Sequence, residues 1–313
     1  MPARSRRSLL QAAVGGVAGL SLGLLPGARS FLAHAQPAGG SPADLGGKFH
    51  VLDAGGTNVL AVAAGEGLAL VDGAPAVRAS GLAEQLAALP GQGSVHTLFN
   101  THWHPEQTGS NETFAAAGAT IVAHENTRLW LATDVTWPWS GETVGPLPDA
   151  ALPSNTFYDR IEVDIGGERA QCGYLRDCPH TDGDIYVFFP GSNVLAVGDA
   201  VSGAGWPSID WWTGGWIGGI VGGLDILLTV ANEATRVVPA RGPVLGYAEL
   251  LSQYRMYSVI WERLAQLLYE QGAGPEDAIA ARPTAEFDAK MGPSEAFVRR
   301  AFESLWAYLS PDA

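Results

Sequence analysis

Residues 98–109 read LFNTHWHPEQTG, an apolar run that passes directly into two histidines separated by one residue. The apolar part predicts a strand over residues 95–100, with His102 and His104 in the loop that leaves its end. In such a loop, imidazoles at positions i and i+2 can converge on one cation, whereas a helix would point them apart. Neutral imidazole is the usual zinc ligand, so the pair indicates part of a metal site.

A third histidine lies in the polar turn CPHTDGD, residues 178–184, and is the natural third ligand. Three protein ligands with a fourth position left to water define the catalytic kind of zinc site. Gly198 and Asp199 follow another apolar run and supply a carboxylate. Surface imidazoles would explain the histidine pair alone, but the pair, the turn at His180 and the segment at Asp199 together favour a metal site.

These segments resemble three motifs of the metallo-β-lactamase superfamily, beginning with its His-x-His-x-Asp-His-x-Gly signature at residues 98–109. The motifs follow the family's order, and the resemblance covers roughly residues 49–245. It implies an α/β fold, a four-layer αββα sandwich with the metal at the edge of two sheets. Strands that alternate with helices after early hairpin-like strands are consistent with partly antiparallel sheets in a layered α/β protein.

By this resemblance, His102, His104 and His180 form the first metal site. Asp199 corresponds to the carboxylate that touches a second metal or bridges both. The family equivalents of Asp182 and its neighbour Asp184 are mainly structural turn residues, and we therefore leave both out of the expected ligand set.

The second metal site departs from the family pattern at three positions. Glu106 stands where aspartate is expected, Gln107 where histidine is expected, and Arg241 where the family has its last histidine. A guanidinium stays protonated and has no lone pair to donate, so Arg241 would repel a divalent ion and attract Asp199. We therefore expect one ion per chain, zinc in the first place. Another divalent metal, or a weak second ion on Glu106 and Asp199 with Arg241 swung outward, is the alternative.

The resemblance implies a hydrolase that uses a metal-bound hydroxide on a small-molecule ester, lactam, thioester or phosphoester. We expect Asp199 or Glu106 to orient or deprotonate the water, and Arg241 to hold a substrate carboxylate or a developing oxyanion. The competing hypothesis is a catalytically silent binding or scaffold protein that the metal stabilises. Trp103 and Trp211 are candidates for an apolar substrate wall, with ordinary packing or a subunit interface as the alternative.

The chain divides into four predicted segments. Residues 1–35 are typical of a twin-arginine signal peptide, with SRRSLL at residues 5–10 and a small-x-small site at 33–35, and they predict a periplasmic or secreted protein. A membrane anchor is the alternative, but the apolar stretch is short and glycine-rich for a stable span. Residues 36–48 are a linker, 49–245 the metallo-β-lactamase-like domain, and 246–313 a helical extension packed on it or on a second subunit.

Charge and cysteine content narrow the classes of partner. Four of the 18 basic residues are arginines of the predicted signal peptide. The remaining 14 basic and 32 acidic residues give a formal net charge of −18, which makes nucleic acid a poor partner. Cys172 and Cys178 could form a small disulfide loop in an oxidising compartment or remain free thiols. The oligomeric state does not follow from the sequence.

Overall fold

The computed structural model describes residues 43–65, 67–89 and 94–309. The predicted signal peptide and most of the predicted linker therefore lie outside the described residues. Ala43–Asp44, at the end of the predicted linker, is a short strand paired with the next one, so that the sandwich begins earlier than expected. Among the described residues, no helix is both long enough and apolar enough to cross a bilayer.

The first sheet has seven strands, which are β1 (Ala43–Asp44), β2 (Phe49–Asp53), β3 (Asn58–Ala64), β4 (Gly67–Val71), β5 (Val95–Phe99), β6 (Thr120–His124) and β9 (Asn155–Phe157). They lie side by side in that order. Neighbours from β1 to β4 are antiparallel, as the glycine-broken apolar runs predict, and neighbours from β4 onward are parallel. The parallel part directs the ends of β4 and β5 to the same edge of the sheet.

The second sheet has five strands, in the order β10 (Arg160–Asp164), β11 (Arg169–Tyr174), β12 (Ile185–Phe189), β13 (Val194–Gly198) and β14 (Arg236–Pro239). All neighbours are antiparallel except β13 and β14. A separate two-stranded hairpin pairs β7 (Val135–Thr136) with β8 (Thr143–Val144) inside the Trp- and Pro-rich excursion of residues 134–156.

Nine helices accompany the described strands: α1 (Ala79–Ala87), α2 (Pro105–Thr108), α3 (Asn111–Ala116), α4 (Glu125–Leu131), α5 (Ile217–Val230), α6 (Tyr247–Gln271), α7 (Pro275–Ala281), α8 (Asp288–Met291) and α9 (Glu295–Leu309). The sequence pattern predicts a helix at about residues 224–232, but helix α5 begins at Ile217, seven residues earlier. Glycine is a poor helix former, but Gly219 packs where a β-carbon would collide with the carbonyls of residues 177 and 178. Close packing therefore outweighs propensity in this helix.

Three buried clusters define four layers. Leu60 and Val62 of β3 meet Val187 and Phe189 of β12 between the two sheets, whereas the alternate residue Val59 faces α1 and α3 on the outside of the first sheet. The outside of the second sheet is covered by α5, α6 and α9. The predicted αββα sandwich with a helical C-terminal region is confirmed, and the extension packs on the same chain.

Candidate metal centre

The first two histidines are held by the ends of strands β4 and β5. Asp72 follows β4, and its carboxylate accepts hydrogen bonds from the Thr101 amide at 2.8 Å and from the Thr101 hydroxyl at 2.8 and 3.0 Å. That hydroxyl lies 3.1 Å from His102 Nδ1. Since its one proton goes to Asp72, the hydroxyl accepts from Nδ1, which leaves the lone pair of His102 on Nε2. Burial raises the pKa of Asp72 to about 7, against the hydrogen bonds from Thr101.

The end of strand β13 approaches this loop more closely than a side chain would permit. Gly198 has φ +57°, and a β-carbon there would collide with the side chain of Thr101. Glycine meets both requirements, because it adopts positive φ without strain and leaves room for a neighbouring chain. The contact brings Asp199, the next residue, up to the histidine loop.

His180 enters from the turn between β11 and β12. The buried Asp184 carboxylate accepts from the backbone amides of His180 at 2.6 Å and Thr181 at 2.8 Å, and from the Thr181 hydroxyl at 2.6 Å. Burial raises the pKa of Asp184 against these hydrogen bonds and the charge of His180. Asp182 instead accepts from the indole of Trp130 at 2.6 Å. Both aspartates therefore shape or brace the turn, as the resemblance implied.

The three histidines converge on one point. One ligand nitrogen from each of His102, His104 and His180 lies within 4.8 Å of the other two, and all three residues are buried. His104 Nδ1 lies 3.0 Å from His180 Nε2. Nitrogens that share a zinc ion at about 2.0–2.1 Å must be comparably close. His102 Nε2 has no hydrogen-bond partner in the described part of the chain, although it is buried. An unpartnered imidazole nitrogen beside two others fits a metal ligand.

Outer hydrogen bonds set which nitrogen of each ring is available. His104 Nε2 donates to Asp210 Oδ2 at 2.9 Å, and His180 Nδ1 donates to the backbone carbonyl of Ser208 at 2.8 Å. The lone pairs therefore remain on His104 Nδ1 and His180 Nε2, the two atoms that face each other. Such partners orient metal-bound imidazoles and raise their basicity.

The expected polar group surrounds Asp199 beside this cluster. Asp199 Oδ2 lies 3.5 Å from His102 Nε2 and 3.6 Å from Arg241 Nη2, and Arg241 Nη2 lies 3.9 Å from Glu106 Oε1. The Gln107 amide donates to Asp199 Oδ2 at 3.4 Å, while its buried oxygen has no partner among the described residues. The structure therefore brings together every polar site residue predicted from the sequence.

Charges divide this group into a neutral and an ionic part. Burial is the main cause that holds the pKa of His102 well below its usual value, and the Arg241 charge acts in the same direction, so the ring is neutral. Burial opposes ionisation of Asp199, but Arg241 and the neighbouring histidines together outweigh burial and lower the pKa of the carboxyl. Asp199 in turn raises the pKa of Arg241. His102 is therefore neutral, as an imidazole must be to bind a metal, and lies beside an ionised Asp199–Arg241 pair.

The two predicted wall tryptophans differ in burial. Trp103 is only 2% exposed, donates from Nε1 to the Thr213 hydroxyl at 3.1 Å and stacks on Trp137. Substrate contact by Trp103 stays a prediction, but its burial places most of the ring in packing against other aromatic side chains. Trp211 is half-buried and its ring lies 5.7 Å from that of Trp139. We call Trp137, Trp139 and Trp211 the aromatic wall.

Sequence reasoning missed Asp210, the acidic partner of His104. It is 1% exposed and lies in the Gly- and Trp-rich loop of residues 203–216. Trp137 Nε1 donates to the same Oδ2 at 3.1 Å, and the Thr213 amide donates to Oδ1 at 3.2 Å. Burial opposes its ionisation, but the bond from His104 and the other donors lower the pKa of Asp210. A single acid in an otherwise apolar loop is the signal that could have identified it.

The two cysteines are free thiols, which is the second of the two alternatives. Cys172 is buried between the sheets, where burial raises the pKa of its thiol. Cys178 lies in the turn before His180, and its thiol donates to the carbonyl of Arg176 at 3.4 Å. The two thiols therefore lie in different environments, one between the sheets and one in a turn.

Fold and site together define a two-sheet α/β protein with a three-imidazole cluster beside the ends of β5 and β13. The family model of the metallo-β-lactamase superfamily matches residues 52–280, more than half of the chain. The protein therefore belongs to the metallo-β-lactamase superfamily, whose members are typically metal-dependent hydrolases. The match continues past residue 245, where the sequence predicted the domain to end. A search of curated proteins finds no match.

Solved structures share this fold at low sequence identity. A metallo-β-lactamase from Pontibacter korlensis is 19% identical over 70% of this chain and 98% of its own, with a TM-score of 0.55. The stereoselective inverting sec-alkylsulfatase Pisa1 from Pseudomonas sp. is 13% identical over 83% of this chain and 49% of its own, with a TM-score of 0.61. At these identities the likeness establishes the fold alone.

Proposed function

We propose that the protein is a hydrolase that binds one divalent ion, zinc in the first place, on His102, His104 and His180. The observation that carries the proposal is the convergence of three buried imidazole nitrogens, one of which, His102 Nε2, has no hydrogen-bond partner in the described chain. The donor set suits zinc, because imidazole nitrogen is a preferred zinc ligand.

A single ion is favoured by the position of Arg241. Its guanidinium lies 3.6 Å from Asp199 and 3.9 Å from Glu106, the two carboxylates that would otherwise attract a second cation. Gln107 offers an amide in place of an imidazole. The arginine thus supplies fixed positive charge where a second metal would supply it.

The ion, when bound, would acidify a water molecule and polarise the group under attack. Asp199 is ionised and adjoins His102 Nε2, so its carboxylate can orient that water and accept its proton. Arg241 is partly exposed beside it and can hold a developing oxyanion or a substrate carboxylate. Glu106 keeps Arg241 in place and is the second candidate base. An ester, lactam, thioester or phosphoester substrate suits this arrangement.

Elemental analysis of the protein beside a His180→Ala variant tests the metal site. We expect about one zinc per chain, and loss of that zinc in the variant. Two ions in the wild type would refute the role given to Arg241. A panel of activated esters, lactams, thioesters and phosphoesters then tests catalysis, with His104→Ala as the inactive control. Metal-dependent thermal stability without turnover on any of them would favour the silent binding protein instead.

A further inference from the structure

The aromatic wall continues onto the C-terminal helix α9. The guanidinium carbon of Arg300 lies 3.5 Å from the ring centroid of Trp139, an indole that is 37% exposed. Three residues further along α9, Glu303 accepts a hydrogen bond from Trp211 Nε1 at 3.1 Å. One face of α9 therefore adds a cation and a carboxylate to the wall.

Arg300 is a partly buried cation with unused hydrogen-bonding capacity. Its side chain is 22% exposed, and its ion pair with Glu303 spans 3.8 Å between Nη1 and Oε2, which is longer than a hydrogen bond. Burial lowers the pKa of Arg300 to about 10, so the group stays protonated at neutral pH while it is incompletely hydrated. A guanidinium carries five N–H donors in a planar fork, and those of Arg300 can serve a ligand oxygen.

The wall connects Arg300 to the metal centre without a break. The Trp139 ring stacks at 6.3 Å from Trp137, whose ring lies 5.7 Å from that of His104. Trp137 and His104 donate to the same oxygen of Asp210, and the Asp210 charge also acts on Arg300. A molecule lying along the wall could therefore span from the metal ligands to Arg300.

Arg241 is less available than Arg300 to bind an anionic group of a ligand. Its guanidinium faces two carboxylates, Asp199 and Glu106, whereas the one ion pair of Arg300 within the described chain is the long one to Glu303. Arg300 also lies against Trp139, which is partly exposed, so a flat ligand can gain apolar contact on the exposed part of the wall beside the charge.

We propose that Arg300, Trp139 and Trp211 form a subsite that selects substrates with a flat apolar group bearing an anionic oxygen substituent, such as a carboxylate or sulfonate. The inference rests on the proposed function, because the subsite belongs to the same cleft. The ring stacks on the indoles and the anion receives charge-assisted hydrogen bonds from Arg300. This anionic group binds away from the metal ligands. It therefore serves for recognition and does not carry the bond that is cleaved.

A pair of fluorescent probes tests the subsite without turnover. 8-Anilino-1-naphthalenesulfonate and N-phenyl-1-naphthylamine share one ring system and differ by the sulfonate. Affinities are measured on the metal-loaded protein by fluorescence titration, with tryptophan excitation to detect energy transfer from the wall. We expect Arg300→Gln to weaken the sulfonate probe about tenfold, as for loss of a charge-assisted hydrogen bond, and to leave the neutral probe within twofold.

Three further variants make the test specific. Glu303→Gln keeps an acceptor for Trp211 but removes the competing charge, so it should strengthen the sulfonate probe and leave the neutral one unchanged. Trp139→Ala should weaken both probes. Arg263→Gln, which removes the same charge at a surface pair with Glu286, should change neither. Near-ultraviolet circular dichroism checks that each variant is folded.

Several results would overturn the subsite. These are equal weakening of both probes by Arg300→Gln, an equal effect of Arg263→Gln, and a wild type that binds the sulfonate probe no better than the neutral one. Because probe binding is measured independently of hydrolysis, the subsite and the hydrolase function can be refuted independently of each other. Selective sulfonate binding with no turnover of any substrate would refute the hydrolase alone.

Discussion

Replacement of Asp210 by asparagine is expected to weaken metal binding although Asp210 is not a ligand. The carboxylate is buried and accepts three hydrogen bonds, from His104 Nε2, from Trp137 Nε1 and from the Thr213 amide. Asparagine has the same shape, but its NH₂ group must face one of these donors, and the remaining oxygen carries no charge. The NH₂ group conflicts with fewer donors when it faces the Thr213 amide, so His104 keeps only a neutral oxygen acceptor, which holds its lone pair on Nδ1 less firmly.

The magnitude follows from the role of such partners. Mutation of an outer hydrogen-bond partner of a metal-bound imidazole typically costs 10- to 100-fold in metal affinity, or about 1.4–2.7 kcal/mol. One buried donor left facing the NH₂ group of Asp210→Asn adds about 1–3 kcal/mol to the loss of folding stability. We therefore expect weaker zinc binding together with a lower melting temperature in the metal-free protein.

Competition titration of zinc against a chromogenic chelator measures the affinity, and the visible spectrum of the cobalt-substituted protein reports on the geometry around His104. Asp225→Asn on helix α5 is the matched control, because Asp225 is exposed and carries the same charge. Zinc affinity of Asp210→Asn within twofold of wild type, with an unchanged cobalt spectrum, would refute the positioning role.

Three other outcomes can be checked directly. The double substitution Gln107→His with Arg241→His restores two imidazoles and removes the guanidinium, so elemental analysis should find two ions per chain; one ion would show that Arg241 is not what excludes the second. Trp103→Phe removes a buried hydrogen bond and part of a ring, and should lower the free energy of unfolding by about 1–3 kcal/mol with KM unchanged; a raised KM would place the ring at the substrate. Arg6→Lys with Arg7→Lys should block export, and unchanged periplasmic recovery in cell fractionation would contradict a twin-arginine signal.

The candidate metal ligands could be predicted from the sequence because their signal is local. His102 and His104 are two residues apart at a strand end, and His180 lies in a short polar turn whose shape is set by Asp184, four residues away. The alternation of strands and helices predicted a layered α/β protein, and the family resemblance supplied the four-layer αββα arrangement. Alternate residues of β3 indeed face opposite sides of the first sheet. Local patterns of this kind do not depend on distant parts of the chain.

The outer partners could not be predicted in the same way, because they depend on contacts between distant residues. Asp210 is separated from His104 by 106 positions. Trp103 lies between two ligands and seemed suited to touch substrate, but its direction depends on a partner 110 positions away, Thr213. The length of helix α5 was also underestimated, because the approach of residues 177 and 178 that requires Gly219 is a tertiary contact.

The loop of residues 203–216 links the C-terminal helices to the chemistry of the metal site. It supplies the outer partners of two ligands, Asp210 for His104 and the Ser208 carbonyl for His180. Helix α9 holds its far end, where Ser304 Oγ accepts from the Ile217 amide at 3.1 Å and Glu303 accepts from the Trp211 indole. The helical extension predicted after residue 245 thus holds this loop in place. The loop in turn determines which ring nitrogen is free in two of the three histidines. Because the histidines can bind a metal only with those nitrogens free, the helical region belongs to the architecture of the candidate metal site.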